Sequence, residues 1–296
     1  MKIGYYPGCT LKAKAKNLDE SALNSLNALG IELSELERWN CCGAVYNLAD
    51  DDLVHFLAPV RDLIRAQAQG FDTVVTLCSM CYNTLARANL MMREDEVKRD
   101  ALNNYLEGDE EETYKGEVEV VHLLPFLRDQ IGWDKLREAI KHPLAGLKLA
   151  PYYGCTLTRP REVEIDASPN PQVFAEFIAA LGATPVAFPE AETCCGSYNI
   201  VSNPEAALTA AAGIIANAGK QEADAMIMSC PLCEYNLGRR QEDALQTGEN
   251  ITPVPVFYFT QMLALALGLA PEAARFDLNP AASRKFLEER GLLVST

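Results

Sequence analysis

Two pseudo-symmetric α/β halves with mainly parallel sheets, arising by duplication, are what this sequence of 296 residues predicts. The first observation behind that is a repeated cysteine pattern. Cys9, the Cys41-Cys42-Gly43 triplet and the Cys78/Cys81 pair are answered by Cys155, the Cys194-Cys195-Gly196 triplet and the Cys230/Cys233 pair. As spacings the two copies read C-x31-CCG-x34-CxxC and C-x38-CCG-x33-CxxC. The second observation is that matched cysteines follow matched apolar strand candidates, KIGYYPGC and KLAPYYGC, then DTVVTLC and ADAMIMSC. The third is that helix-period segments lie between those strands, the alternation expected of parallel α/β folds.

The elements follow in chain order. After the first strand, Ala22, Leu23, Leu26 and Leu29 form one apolar helical stripe, and Gly30 is placed to stop it. A longer helix is expected over 51–69, with Pro59 starting or kinking it. The charged stretch around 93–117 reads as a helix followed by an exposed acidic loop. VEVVHLLPFL closes the first half as a strand-like run, and VPVFYFTQML closes the second. The second half repeats the first stripe with Val173, Phe174, Phe177, Ile178 and Leu181, stopped by Gly182. Asn203 and Pro204 suit the N-cap and first position of its longer helix. A terminal helix is expected over 280–293. These elements divide the chain into a first cysteine-rich domain, residues 1–143, and a second, residues 144–296.

Composition narrows the function. The net charge is -15, which argues against nucleic acid and anionic membrane as partners. The start lacks the apolar core of a signal peptide, and the longest apolar run, 262–270, is too short to span a bilayer. A cytoplasmic protein without membrane insertion is expected. In that setting ten cysteines point to metal or redox chemistry rather than disulfides. No Walker loop, Gly-rich dinucleotide fingerprint or Ser–His–Asp set is evident, and His55, His122 and His142 are scattered.

Each cysteine group falls where a strand gives way to a loop or helix, and ligands of open α/β sheets gather at strand carboxyl ends. Gly43 and Gly196 would let the backbone turn tightly around a bulky core. Each half offers five thiols, whereas structural zinc and a cubane iron–sulfur cluster each take four. A spare thiol, an unusual cluster, zinc in one half, and a thioredoxin-like role for either CxxC all remain open on these grounds.

The repeated cysteine arrangement resembles the CCG-domain family. The whole chain resembles the B subunits of heterodisulfide reductases (HdrB). That resemblance implies that Cys9, Cys41, Cys42, Cys78 and Cys81 hold one non-cubane [4Fe-4S] cluster. It implies that Cys155, Cys194, Cys195, Cys230 and Cys233 hold the other. It further implies an oxidoreductase that reduces a disulfide, CoM-S-S-CoB or a related one, by two one-electron steps. Its electrons would come through a ferredoxin-like HdrC-type subunit fed by a flavin-containing HdrA-type subunit. Related subunits of succinate or fumarate reductases imply the alternative, a non-catalytic electron-transfer or anchoring role. Basic residues follow the first cysteine of each half, and Lys12 and Arg159 are the candidates for an anionic thiol or a docked partner.

Protein purified without oxygen is expected to carry about eight iron atoms and about eight labile sulfides per chain. Elemental analysis checks this, and about four irons with one zinc would leave a single redox centre.

Overall fold

The computed structural model describes residues 3–44, 52–110, 112–166, 169–247 and 251–293. The first half carries strands β1 (Ile3–Tyr6), β2 (Ser34–Glu35), β3 (Thr73–Thr76) and β4 (Glu119–His122), hydrogen-bonded in the order β2-β1-β3-β4. The second carries β5 (Lys148–Pro151), β6 (Thr184–Pro185), β7 (Ala225–Met228) and β8 (Val256–Tyr258), in the order β6-β5-β7-β8. Every pairing among the described residues is parallel. The central strands read TVVT and AMIM and are buried along their whole length. Continuous burial is what a parallel strand covered by helices on both faces requires.

Register aligns the carboxyl ends. Tyr6, Thr76 and His122 stand level across the first sheet, and Met228 and Tyr258 across the second. In this strand order the connections leaving β1 and β3 run to opposite sides of the sheet. That opens a crevice beyond their carboxyl ends.

The helices start and stop where their sequences direct. Lys16–Ala28 ends before Gly30, whose φ is 75°, and Val173–Ala180 ends before Gly182, whose φ is 82°. Pro59 sits in the first turn of Leu57–Ala68, where its missing N–H costs nothing; residue 51 of the expected span lies outside the described residues. The Asn203 side chain accepts the Ala206 N–H at 3.1 Å and caps Pro204–Lys220. The terminal helix is Ala281–Glu289.

Two expectations are corrected. The closing runs are strand followed by helix: β4 passes directly into Leu123–Phe126, and β8 into Phe259–Ala266. Fully apolar runs lack the periodicity that would tell the two apart. The acidic loop is also not a wholly solvated face. Glu110 is buried against Arg65 at 2.7 Å, and Tyr114 is fully buried with its hydroxyl 2.5 Å from Asn89 Oδ1.

The halves embrace reciprocally. Lys16–Ala28 of the first packs on Phe259–Ala266 of the second, while Val173–Ala180 of the second packs on Leu123–Phe126 and Trp133–Ala139 of the first. Polar ties fix the first contact: Ser21 Oγ and Thr260 Oγ1 lie 2.6 Å apart, and Arg275 grips both Glu20 oxygens at 2.8 Å. Phe259 stacks near Phe174, Phe177 and His122, with ring centroids 5.6–5.9 Å apart.

His122 ends β4 and is fully buried. Its Nδ1 accepts the Leu124 N–H at 3.2 Å, so the proton sits on Nε2 and faces the Leu77 carbonyl at 3.0 Å. Burial lowers its pKa to about 4, against a small upward pull from the Leu77 carbonyl. The depressed value means that the neutral ring contributes stability above about pH 6.5, lost as pH falls toward 4. Urea titrations across that window should show a loss on the order of 3 kcal/mol that His122→Gln lacks.

Candidate metal-cluster site

The strand order brings three loops of each half to one crevice. Cys9 follows β1 and opens the short helix Cys9–Ala13; Cys41 and Cys42 follow β2; Cys78 follows β3 and caps the helix Ser79–Glu94. The second half repeats this with Cys155 after β5, Cys194 and Cys195 after β6, and Cys230 capping Pro231–Glu234 after β7. A helix N-terminus favours negative charge, so a thiolate or an anionic cluster is stabilised there.

The sulfurs of each half lie close together, several of them in contact. Cys9 and Cys41 are 3.5 Å apart, Cys42 and Cys81 3.7 Å, and Cys195 and Cys233 3.4 Å. Cys155 meets Cys194, and each CxxC pair meets within itself. All ten are free thiols. Cys9 and Cys41 are exposed and Cys155 and Cys194 half-buried, whereas both CxxC pairs are buried. Contacting thiols share protons unevenly. The Cys155 S–H, helped by the Gly196 N–H at 3.4 Å, lowers Cys194 to about 6, and Cys155 is raised as the partner that keeps its proton.

The two cysteine sets also approach each other. Cys78 and Cys230 lie close enough to perturb one another: Cys230 is lowered by Cys233 and then Cys78, and Cys78 is raised. Tyr198 of the second half reaches Met80 Sδ of the first at 3.3 Å. The two cysteine sets therefore adjoin across the interface between the halves.

Several features fit a large, sulfur-rich core. Five donors per half exceed the four a tetrahedral ion takes, and among the described residues no three Cys, His, Asp or Glu side chains close around a single-ion position. Thr76, Ser79, Thr158 and Ser229 carry buried hydroxyls with no hydrogen-bond partner among the described residues, and all four lie within three residues of a cysteine of the set. Ser79 does lie beside the Cys230 sulfur, outside ordinary hydrogen-bond geometry. Buried hydroxyls without acceptors are costly and point to a missing acceptor such as inorganic sulfide. Gly43 and Gly196 both hold positive φ, and a Cβ on Gly196 would meet Ala207 Cα at 2.9 Å.

The cysteine-rich domain family matches residues 3–86 and 149–238. The chain belongs to this CCG cysteine-rich family. It is 34% identical to the membrane anchor subunit of the 8-methylmenaquinol:fumarate reductase of Wolinella succinogenes, covering 94% of this chain and 96% of that one. It is 28% identical to the B subunit of the ferredoxin:CoB-CoM heterodisulfide reductase of Methanosarcina mazei, over 97% and 96% of the two chains. It is 29% identical to a protein of Archaeoglobus profundus that is named as similar to the B subunit of heterodisulfide reductase, over 92% of each. A hypothetical protein from Helicobacter pylori shares the fold, with a TM-score of 0.74 at 15% identity over 94% of this chain and 51% of that one. No helix among the described residues is long and apolar enough to cross a membrane.

The basic candidates are placed differently. Lys12 is tied to Glu35 at 2.7 Å and Asp19 at 3.2 Å, and sits 5.9 Å over the Tyr5 ring. Arg159 is exposed, donates to the Glu192 carbonyl, and helps to lower Cys194. The four hydroxyls escape sequence reasoning, because only burial separates them from surface Ser and Thr. Asn83 escapes it for another reason. It follows Cys81 by two residues while its echo Asn236 follows Cys233 by three, and one residue turns a helix by about 100°. Asn83 therefore crosses to the second half and donates to Thr156 O at 2.9 Å and Arg159 O at 2.7 Å, whereas Asn236 donates to Cys195 O of its own half at 2.9 Å.

Asn83→Ala removes both bonds to the loop that carries Cys155. It should cost about 2 kcal/mol in urea unfolding, at about 1 kcal/mol per bond.

Proposed function

We propose that this chain is the iron–sulfur subunit of a heterodisulfide reductase-type complex. Each half would hold one four-iron cluster, non-cubane in type, on its five cysteines. The observation that carries this reading is that the two cysteine sets face each other across the half–half interface, where Tyr198 reaches Met80 between Cys78 and Cys81, Asn83 bonds Thr156 beside Cys155, and Cys78 lies near Cys230. An iron–sulfur cluster bound there supplies one electron at a time. Reducing a disulfide takes two electrons and two protons and yields two thiols, one from each sulfur of the broken bond. Two adjoining one-electron sites match that count.

The chain's own residues would do the rest. The CxxC cysteines, buried in both halves, would hold the inner side of each cluster away from solvent. Arg159 would offer an exposed guanidinium to an anionic thiol substrate, whereas Lys12 is already neutralised by its two carboxylates. Electrons would arrive through a ferredoxin-like HdrC-type partner fed by a flavin-containing HdrA-type partner, because the chain has no flavin motif of its own.

A second reading is an electron-transfer and anchoring role in a fumarate reductase-type complex. Its support is the 34% identity to the Wolinella succinogenes protein, which is named as such an anchor.

Titrating the oxidised protein with coenzyme M while recording electron paramagnetic resonance separates the two. The disulfide-reducing reading expects a new thiol-dependent signal, and Arg159→Ala should need about tenfold more thiol, the worth of one charge-assisted hydrogen bond. If no thiol or disulfide alters either cluster and electrons still reach a partner, the second reading stands.

A further inference from the structure

One tyrosine recurs three residues before the first cysteine of each half, Tyr6 before Cys9 and Tyr152 before Cys155. Both phenols are buried, with 0% and 1% of their surface exposed. The Tyr6 hydroxyl donates to the carbonyl of Asn40 at 2.7 Å, and the Tyr152 hydroxyl donates to the carbonyl of Thr193 at 2.6 Å. Asn40 and Thr193 are the residues immediately before the paired cysteines. The same bond is made although 31 residues separate the first cysteine from the pair in one half and 38 in the other. An incidental contact would not survive a loop lengthened by seven residues.

The clamp acts on a short lever. The Asn40 N–H is held by Asp62 Oδ1 at 2.8 Å, and the Thr193 N–H by Glu190 O at 3.0 Å, so the residue ahead of each pair is gripped at both its N–H and its carbonyl. The rings also touch the turn that carries the first cysteine. A Cβ built on Gly8 would lie 3.4 Å from the Tyr6 ring and 2.8 Å from Cys81 Sγ; one on Gly154 would lie 3.4 Å from the Tyr152 ring and 3.6 Å from Cys233 Sγ. Each tyrosine thus bonds the backbone that leads into the paired cysteines while its ring lies beside the glycine turn that carries the first cysteine.

We propose that Tyr6 and Tyr152 are positioning residues, one per half, that fix the paired cysteines against the end of β1 or β5 and so set where their sulfurs stand relative to the CxxC sulfurs. The inference rests on the reading of these cysteines as cluster ligands. Neither phenol takes part in the chemistry.

The test uses the full chain with its clusters, purified without oxygen, as Tyr6→Phe, Tyr152→Phe and the double variant. Tyr5→Phe and Tyr153→Phe are the controls. These neighbours are also buried and hydrogen-bonded, Tyr5 to Asp19 at 2.5 Å and Tyr153 to Pro171 O at 3.0 Å, but neither hydroxyl bonds the carbonyl that leads into the paired cysteines. Iron release to a chelator and the electron paramagnetic resonance spectrum are read together. Each single variant should lose half of its iron about fivefold faster, the factor worth one neutral hydrogen bond, and the double variant all of it. The spectrum of the affected half should shift while the controls stay as the parent. Parent-like release and spectra in both clamp variants would overturn the inference, as would equal effects in the controls. A parent without iron and sulfide would instead overturn the cluster reading beneath it.

Discussion

The parallel pairing of β1 with β3, and of β5 with β7, is the constraint on which the rest depends. Because these strands run side by side in the same direction, the loops leaving them emerge at one edge of the sheet. β2 and β6 add a third loop at the same edge by lying on the outer side of β1 and β5. Cysteines that are 32 to 39 positions apart in the chain are thereby brought to sulfur–sulfur contact. The buried, two-faced character of TVVT and AMIM locks the register that makes this possible. A shift of one residue would turn the strand over and carry its cysteine away from the crevice.

A duplicated half is not by itself a paired site. What couples the two is the exchange of helices across the interface, each half lending its first long helix to the closing helix of the other. That packing is apolar at its centre, around Phe259, and is pinned by a few polar ties such as Ser21 with Thr260 and Arg275 with Glu20. The arrangement sets the N-termini of the two CxxC helices near each other, so Cys78 and Cys230 perturb one another. The symmetry is imperfect. Asn83 braces the second half from the first, while Asn236 braces its own half, so the two sites do not have equivalent supports.

The charge distribution follows from the same geometry. The chain is acidic overall, yet its cysteine edge collects backbone N–H groups and helix N-termini, which favour thiolates and anionic clusters. Of the basic residues beside the first cysteines, Lys12 is consumed by Asp19 and Glu35, whereas the Arg159 head stands exposed near Cys194.

Much of this was legible in the sequence. The duplication, the α/β class, the ten cysteines and most helix ends follow from local rules. A repeated spacing, an apolar stripe, a Gly stop or an Asn-Pro start acts within a few residues and needs no knowledge of the partner. The closing runs were misread because an all-apolar segment carries no period, and the acidic loop because Glu110 is buried only when Arg61 and Arg65 come to meet it. Tertiary structure alone decided which thiols touch, that the two sets adjoin, where Asn83 points and which hydroxyls lie buried without partners. Each of these depends on groups far apart in the chain, whose meeting is governed by sheet order and by packing between the halves, and no local pattern encodes that.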